Sequence, residues 1–167
     1  MGSYKMIFER IVMNQYAYRF QNNWLLAKGS DKVWDLISNF QDDSGWPGVT
    51  VRKICDGRQS DGVGREYKSL FRTKLLYKLS FHAVVVSSSP PSRLEMKVSG
   101  QLEGRAVWTL SPQMGGTSLT FLWEVNTNAR WMALLSPLLR PLFIWNHDQM
   151  MKEGQRALSA RIGAPVV

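Results

Sequence analysis

The chain has 167 residues, a hydrophobic fraction of 44% and a formal net charge of +8, with a pI near 9.9. That length suits one domain, 1–167 with its core at about 16–163, and leaves no room for a second. Cys55 is the only cysteine and His82 and His147 are the only histidines, which excludes an internal disulfide and the Cys/His spacings of a zinc site; neither metal nor cofactor is expected.

The cations stand as singles, as at Lys28, Arg52, Lys68, Lys97 and Arg130. The densest piece, RTKLLYK over 72–78, alternates like a strand and makes no basic helix. The charge therefore reads as a solvated surface and not as a nucleic-acid site. The opening MGSYKMIFERIVMNQYAY lacks a continuous apolar core with a small-residue cleavage site, and Met6 stands where a myristoylation motif needs Ser or Thr. A cytoplasmic location is the expectation that follows.

Residues 16–27 are rich in aromatic and β-favouring side chains and stop at Gly29, which predicts a first strand. Ser30 then reads as an N-cap, with Asp31 at the positive end of the helix dipole and Val33, Trp34, Leu36 and Ile37 as the apolar stripe. QDDSGWPG breaks this short helix, with an extra helical turn near Phe40, and strands resume at Val49. A six-strand antiparallel meander follows, with turn signals at Asp56–Gly57, Asp61–Gly64, Ser87–Pro91, Gly100–Gly104 and Pro112–Gly116. Leu75, Tyr77, Leu79, Phe81, Ala83 and Val85 share one face of its longest strand, with Lys78, Ser80 and His82 on the other. Leu94, Met96 and Val98 repeat the pattern.

The stretch 100–124, GQLEGRAVWTLSPQMGGTSLTFLWE, reads as a complete hairpin with the QMGG turn at its tip. Gly104, Ala106, Trp108 and Leu110 make one inner face; Leu119, Phe121, Trp123 and Val125 make the other. Two tryptophans opposite small residues predict a sheet that leaves room for something. In the last segment, Ser136 before Pro137 reads as an N-cap followed by proline at the first helical position, with a kink or restart at Pro141. Leu139, Phe143, His147, Met150, Gly154, Ala157 and Arg161 fall in one arc, with Asp148, Lys152, Gln155 and Ser159 on the reverse side.

The most apolar window, 131–145, is broken by Pro137, Arg140 and Pro141 and is too short to span a membrane. Leu138, Leu142 and Trp145 fall off the inner arc, which marks a contact surface. What covers it is open between residues 6–13, a second copy in a homodimer, and weak membrane association aided by Arg130 and Arg140. The whole order, β-α-α-β6-α, admits an α+β packing: a curved antiparallel sheet of about seven strands wrapped around a long C-terminal helix.

That order, with DKVWDLISNF, GWPGV, GVGRE, LEGRAVWTL and GGTSLTFLWEV, resembles the SRPBCC superfamily, the START-like and pollen-allergen-like helix-grip proteins, and within it the bacterial polyketide cyclase/dehydrase-like branch. The resemblance runs over about 16–163 and rests on Val33 and Trp34, Gly62 and Gly64, Glu103, Gly104 and Trp108, and the Gly115-Gly116-Thr117 turn. Ala106 departs from it where a second glycine is frequent, which narrows the strand's inner face. The resemblance implies a cavity between sheet and helix, with cargoes that range over lipids, sterols, polyketides and plant hormones. These motif residues shape turns and packing, and no catalytic role carries across on them.

The expected cavity wall comprises Trp46 at the mouth, Tyr77 and Phe81, Met96, Trp108, and Phe121 with Trp123 on the sheet. Phe143, His147 and Met150 face them from the helix. A volume of about 300–1,000 Å³ is expected. His147, with Asn146 beside it, is the candidate general acid or base, against a competing reading as a structural histidine bonded to a backbone carbonyl. Arg105 belongs in the cavity only if its strand has the opposite phase; His82, Glu103 and Glu124 read as outer-face residues. Any Trp can equally fill the core. The leading expectation is a protein that binds or carries a hydrophobic small molecule, a lipid, sterol-like compound or aromatic polyketide. The alternatives are a metal-free polyketide cyclase/dehydratase using His147, with Asn146 or Tyr77 as its partner, and membrane or partner docking through 131–145.

Overall fold

Period-two alternation sets the strands and turn chemistry sets most of their ends. The computed structural model describes residues 17–39, 45–57, 60–74, 77–128 and 130–163, with the side chains of 130–137 and 139 outside that description. The elements run β1 (Ala17–Leu26), α1 (Ser30–Ser38), β2 (Val49–Asp56), β3 (Arg65–Arg72), β4 (Lys78–Ser89), β5 (Arg93–Gly100), β6 (Leu102–Gln113), β7 (Gly116–Thr127) and α2 (Arg130–Ile162). They form a seven-stranded antiparallel sheet in the order β1-β7-β6-β5-β4-β3-β2. Strands β2 to β7 are the expected meander, and β1 returns to pair along β7, from Ala17 opposite Asn126 to Leu26 opposite Thr117.

The sheet curves around α2. Register shifts at Lys53/Cys55 in β2 and at Val85/Ser87 in β4 add the local bends that bulges produce. Gly104 lets β7 approach β6 closely, because a Cβ there would collide with the Glu124 carbonyl. One buried cluster fills the inside, from Leu26, Val33 and Leu119 at the β1–α1–β7 corner to Phe143, Met150 and Leu158 on α2.

Several expectations are corrected. Ser30 is the first residue of α1 and does not cap it; Gly29 holds that position. The Ser30 hydroxyl instead lies 3.2 Å from Thr117 Oγ1, which donates to the Lys28 carbonyl at 2.7 Å. The piece read as strand over 72–78 contains a tight turn: the Thr73 amide donates to the Tyr77 carbonyl at 3.0 Å, closing β3 onto β4. Conversely, the two signals at Asp56–Gly57 and Asp61–Gly64 belong to a single connection between β2 and β3. Helix α2 begins at Arg130, so Ser136, Pro137 and Pro141 are interior residues and no restart occurs. Arg161 is exposed, off the buried face. The predicted turn near Phe40, Leu75 on its strand face, and the Leu139 side chain lie outside the described residues.

The two helices are tied to the sheet by polar contacts as well as by apolar packing. At the end of α1 the Ser38 carbonyl accepts from Arg65 Nη1 at 2.7 Å and from the Tyr67 hydroxyl at 3.2 Å, which satisfies one of the terminal carbonyls a helix leaves unpaired. Trp46, in the connection from α1 to β2, is buried and donates its indole N–H to the Met150 carbonyl of α2 at 2.8 Å. Its ring lies directly over Gly154, where a Cβ would come within 2.5 Å of Trp46 Cζ2. Along α2, Leu138, Leu142 and Trp145 are exposed, as their phase predicts. Among the described residues no helix is long and apolar enough to cross a membrane.

Gly154→Ala tests the Trp46 contact by its sign. In an unhindered helix the change stabilises by about 1 kcal/mol through propensity. Here overpacking of about 1–3 kcal/mol opposes it. A net loss of stability in urea unfolding, with no loss when Trp46 is also shortened to Leu, is the expected result.

Candidate functional site

Strand register brings the inner face together before any helix is added. Leu94, Trp108 and Phe121 stand in one cross-strand row, and Met96, Ala106 and Trp123 in the next. On the other half of the sheet Ser69 stands opposite Phe81 and Tyr67 opposite Ala83. Helix α2 crosses these rows with Phe143, His147, Met150 and Met151.

Two adjoining chambers remain between sheet and helix. The larger, about 110 Å³, is walled by Trp46, Phe81, Met96, Trp108, Phe121 and Trp123, with His147 at its edge. The smaller, about 80 Å³, is walled by Tyr77, Phe143, Asn146 and Met150, again with Trp123 and His147. Phe71, Trp123, His147 and Met151 border both and so form the partition. Each volume falls below the expected range. The aromatic side chains turn inward on one another: Trp108 stacks on Phe121 at 4.1 Å between centroids, and Phe71 meets Phe81 edge-on at 4.9 Å.

His147 is the polar feature of the partition. Its ring stacks on Phe20, 3.7 Å between centroids and 10° from parallel. Both ring nitrogens are buried and lack a hydrogen-bond partner. Nδ1 lies 3.7 Å from Asp148 Oδ1, which is also buried and unpartnered. Burial holds the imidazole below its ordinary pKa of 6.5, with the Asp148 carboxylate pulling weakly the other way, so the ring is neutral near pH 7.

The neighbouring groups are engaged. Asn146 is buried, accepts the Lys74 amide on Oδ1 at 3.2 Å and directs Nδ2 to the Met150 sulfur at 3.8 Å. It thereby ties the β3–β4 turn to α2. Burial, seconded by the nearby Tyr18, pushes the Tyr77 hydroxyl up to about 12, so it keeps its proton. Arg105 lies on the outer face, where it donates to Glu124 at 2.6 Å beside the Arg19–Glu124 ion pair at 2.8 Å. Glu103 and His82 are exposed there too. Trp24 packs in the core against Trp108, 6.2 Å between centroids.

The wall also contains residues that the sequence reading did not single out. Tyr67, Ser69 and Phe71 alternate inward along β3, a period-two signal that was open to view. Met151 is less obvious, because it lies 100° around the helix from Met150. A helix gripped by a curved sheet is contacted on a wide arc, and Met151 is buried for that reason. Among the described residues no cluster of three or more His, Cys, Asp or Glu side chains is placed to hold a metal ion.

The state of His147 makes stability depend on pH. Its folded pKa lies below 6.5, so the unfolded chain takes up the proton first; the contribution is complete above that value and is lost as pH falls through the folded one. The melting temperature should therefore drop on acidification from about pH 7 to pH 5, and His147→Phe should show a shallower drop over the same interval. Identical slopes would place the titrating groups elsewhere.

No protein-family model matches the chain, and no curated protein matches it. Solved structures do. Protein Ms6760 from Mycobacterium smegmatis aligns at a TM-score of 0.61 with 10% identity, over 87% of this chain and 90% of its own. The di-domain ARO/CYC StfQ of the steffimycin biosynthetic pathway aligns at 0.63 with 15% identity, over 90% of this chain and 53% of its own. BexL, the di-domain ARO/CYC of the BE-7585A pathway, aligns at 0.64 with 14% identity, over 84% and 48% respectively. This chain thus spans about half the length of the di-domain proteins. At these identities the likeness is one of architecture: the chain shares with these structures the helix-grip fold, a curved antiparallel sheet around a C-terminal helix.

Proposed function

We propose that the protein binds or carries a hydrophobic small molecule between the sheet and α2. The observation that carries this reading is the pair of chambers, whose walls are mostly apolar side chains drawn from all seven strands and from α2. Closing such a space with side chains would stabilise the fold by removing voids. The flat faces of Trp108, Phe121 and Trp123 suit an aromatic or polycyclic skeleton. The chambers as they stand match a compact molecule; an acyl chain, sterol or polyketide needs the partition at Phe71, Trp123 and Met151 to swing aside.

The second reading is a cyclase- or dehydratase-type enzyme in which His147 moves a proton. The two unpartnered ring nitrogens favour it, and StfQ and BexL, whose names carry ARO/CYC, share the fold. Loss of turnover in a folded His147→Ala variant supports that reading, and unchanged turnover removes His147 from it.

Native mass spectrometry after incubation with a fatty acid, a sterol and anthraquinone tests the binding reading directly. Uptake of at least one is expected, with a stabilisation of about 2.7 kcal/mol at a hundredfold excess over Kd. Ala106, which faces the larger chamber and is 1% exposed, gives the control: Ala106→Phe should fill that space and weaken binding at least about tenfold. Retention of none of the three ligands would sink the proposal.

A further inference from the structure

Asp148 was placed by helical phase on the far side of α2, yet its Oδ1 is buried, unpartnered and 3.7 Å from Nδ1 of His147. These two side chains and the partition they occupy carry an inference about the ligand, one that rests on the binding reading above. A neutral imidazole has one N–H donor and one lone-pair acceptor. A carboxylate oxygen only accepts, so the sole way Asp148 can engage the ring is to take a hydrogen bond from Nδ1–H. A movement of about half an ångström or more brings 3.7 Å into hydrogen-bond range. Once made, that contact would fix the tautomer and leave Nε2 with its lone pair bare.

Several other donors on the chamber walls are already engaged, while the Tyr77 and Ser69 hydroxyls also line them. Trp46 donates to Met150, Tyr67 to Ser38 and Thr73 to Tyr77, and the Asn146 amide group is directed at Met150. One face of the imidazole is covered by Phe20, and both nitrogens are buried although the residue borders both chambers, so a side-chain movement at the partition is needed to bring Nε2 to a ligand.

We propose that Asp148 orients His147 so that Nε2 accepts a hydrogen bond from a hydroxyl group of the bound molecule, which makes the ligand a hydrophobic phenol or alcohol. A hydrocarbon leaves the lone pair unmet. A ketone, ester or ether brings a second acceptor against it. Asp148 is a positioning residue here and touches no ligand.

Matched probes test this: 1-naphthol, 1-methoxynaphthalene and naphthalene, titrated by tryptophan fluorescence against the full-length protein. The wild type should prefer 1-naphthol over 1-methoxynaphthalene at least about tenfold, the effect of one buried hydrogen bond. His147→Phe should bring the two within about threefold of each other. Asp148→Ala should reduce the preference, and the imidazole ¹⁵N shifts should move from a single Nδ1–H tautomer to a mixture, a change that a merely structural aspartate would not produce. Equal binding of 1-naphthol and 1-methoxynaphthalene by the wild type, or a preference that survives in His147→Phe, overturns the inference and leaves the hydrophobic-ligand reading standing. Failure of all three probes to bind overturns both.

Discussion

The position of α2 against the sheet depends on the contact between Trp46 and the helix backbone. Apolar packing alone is non-directional and would let a 33-residue helix slide or roll in a curved trough. The Trp46 indole removes that freedom twice. It donates to one named carbonyl, Met150, and its ring occupies the gap that Gly154 leaves one turn later. A shift of one residue would put a side chain under the indole and leave its N–H without that acceptor. At the other flank of the same turns, Asn146 receives the Lys74 amide and Lys74 pairs with Glu153 at 3.3 Å. The helix is thus pinned from the α1–β2 connection and from the β3–β4 turn, and His147 sits between the two pins.

Those pins determine what the cavity can be. With α2 fixed, the space left inside is decided by how far the aromatic side chains of the sheet reach, and in this chain they reach far enough to divide it. Phe71, Phe81, Phe121 and Trp123 contact one another at 4.9 to 6.5 Å between centroids. Such an array is held by packing and not by hydrogen bonds, so rotamer changes at its edge are the cheapest way to gain volume. The backbone pins and the soft partition are separate parts of the structure, which lets the interior adapt without loosening the grip on the helix.

The sequence made the hairpin over 100–124 legible because one face of each strand is buried and the period is two: Ala106, Trp108 and Leu110 on β6 and Leu119, Phe121 and Val125 on β7 are all buried. The helix-grip architecture followed from the same patterns. Three features were hidden for distinct reasons. The turn at Thr73–Tyr77 contains neither glycine nor proline and is held by Thr73 main-chain and side-chain donors to one carbonyl, so its letters read as continuing strand. The start of α2 was masked by Ser136-Pro137, a pair that imitates an N-cap although the helix already runs through it. Asp148 was placed on the reverse side by phase, where its side chain is partly exposed, but phase does not register that one carboxylate oxygen turns back toward the preceding side chain.

The contrast between an apolar interior and one unmet imidazole bears on selectivity. An apolar wall discriminates poorly, since adding or removing a methylene changes binding by only about 1–3 kcal/mol, and a mere extra hydroxyl is weakly rejected. A buried polar group acts in the other direction: a ligand that fails to satisfy it leaves an unpaired group, at about 1–3 kcal/mol. His147, with both nitrogens buried and unpartnered, is therefore the feature of this interior that can separate molecules of equal size and hydrophobicity. The same unmet group costs stability in the absence of a partner, and more on acidification because its burial opposes the charged form. A side chain placed for stability alone at that point of α2 would be apolar, like Phe143 one turn before it and Met151 one turn after; a histidine there lowers stability, a cost that the proposed recognition of a ligand hydroxyl would explain.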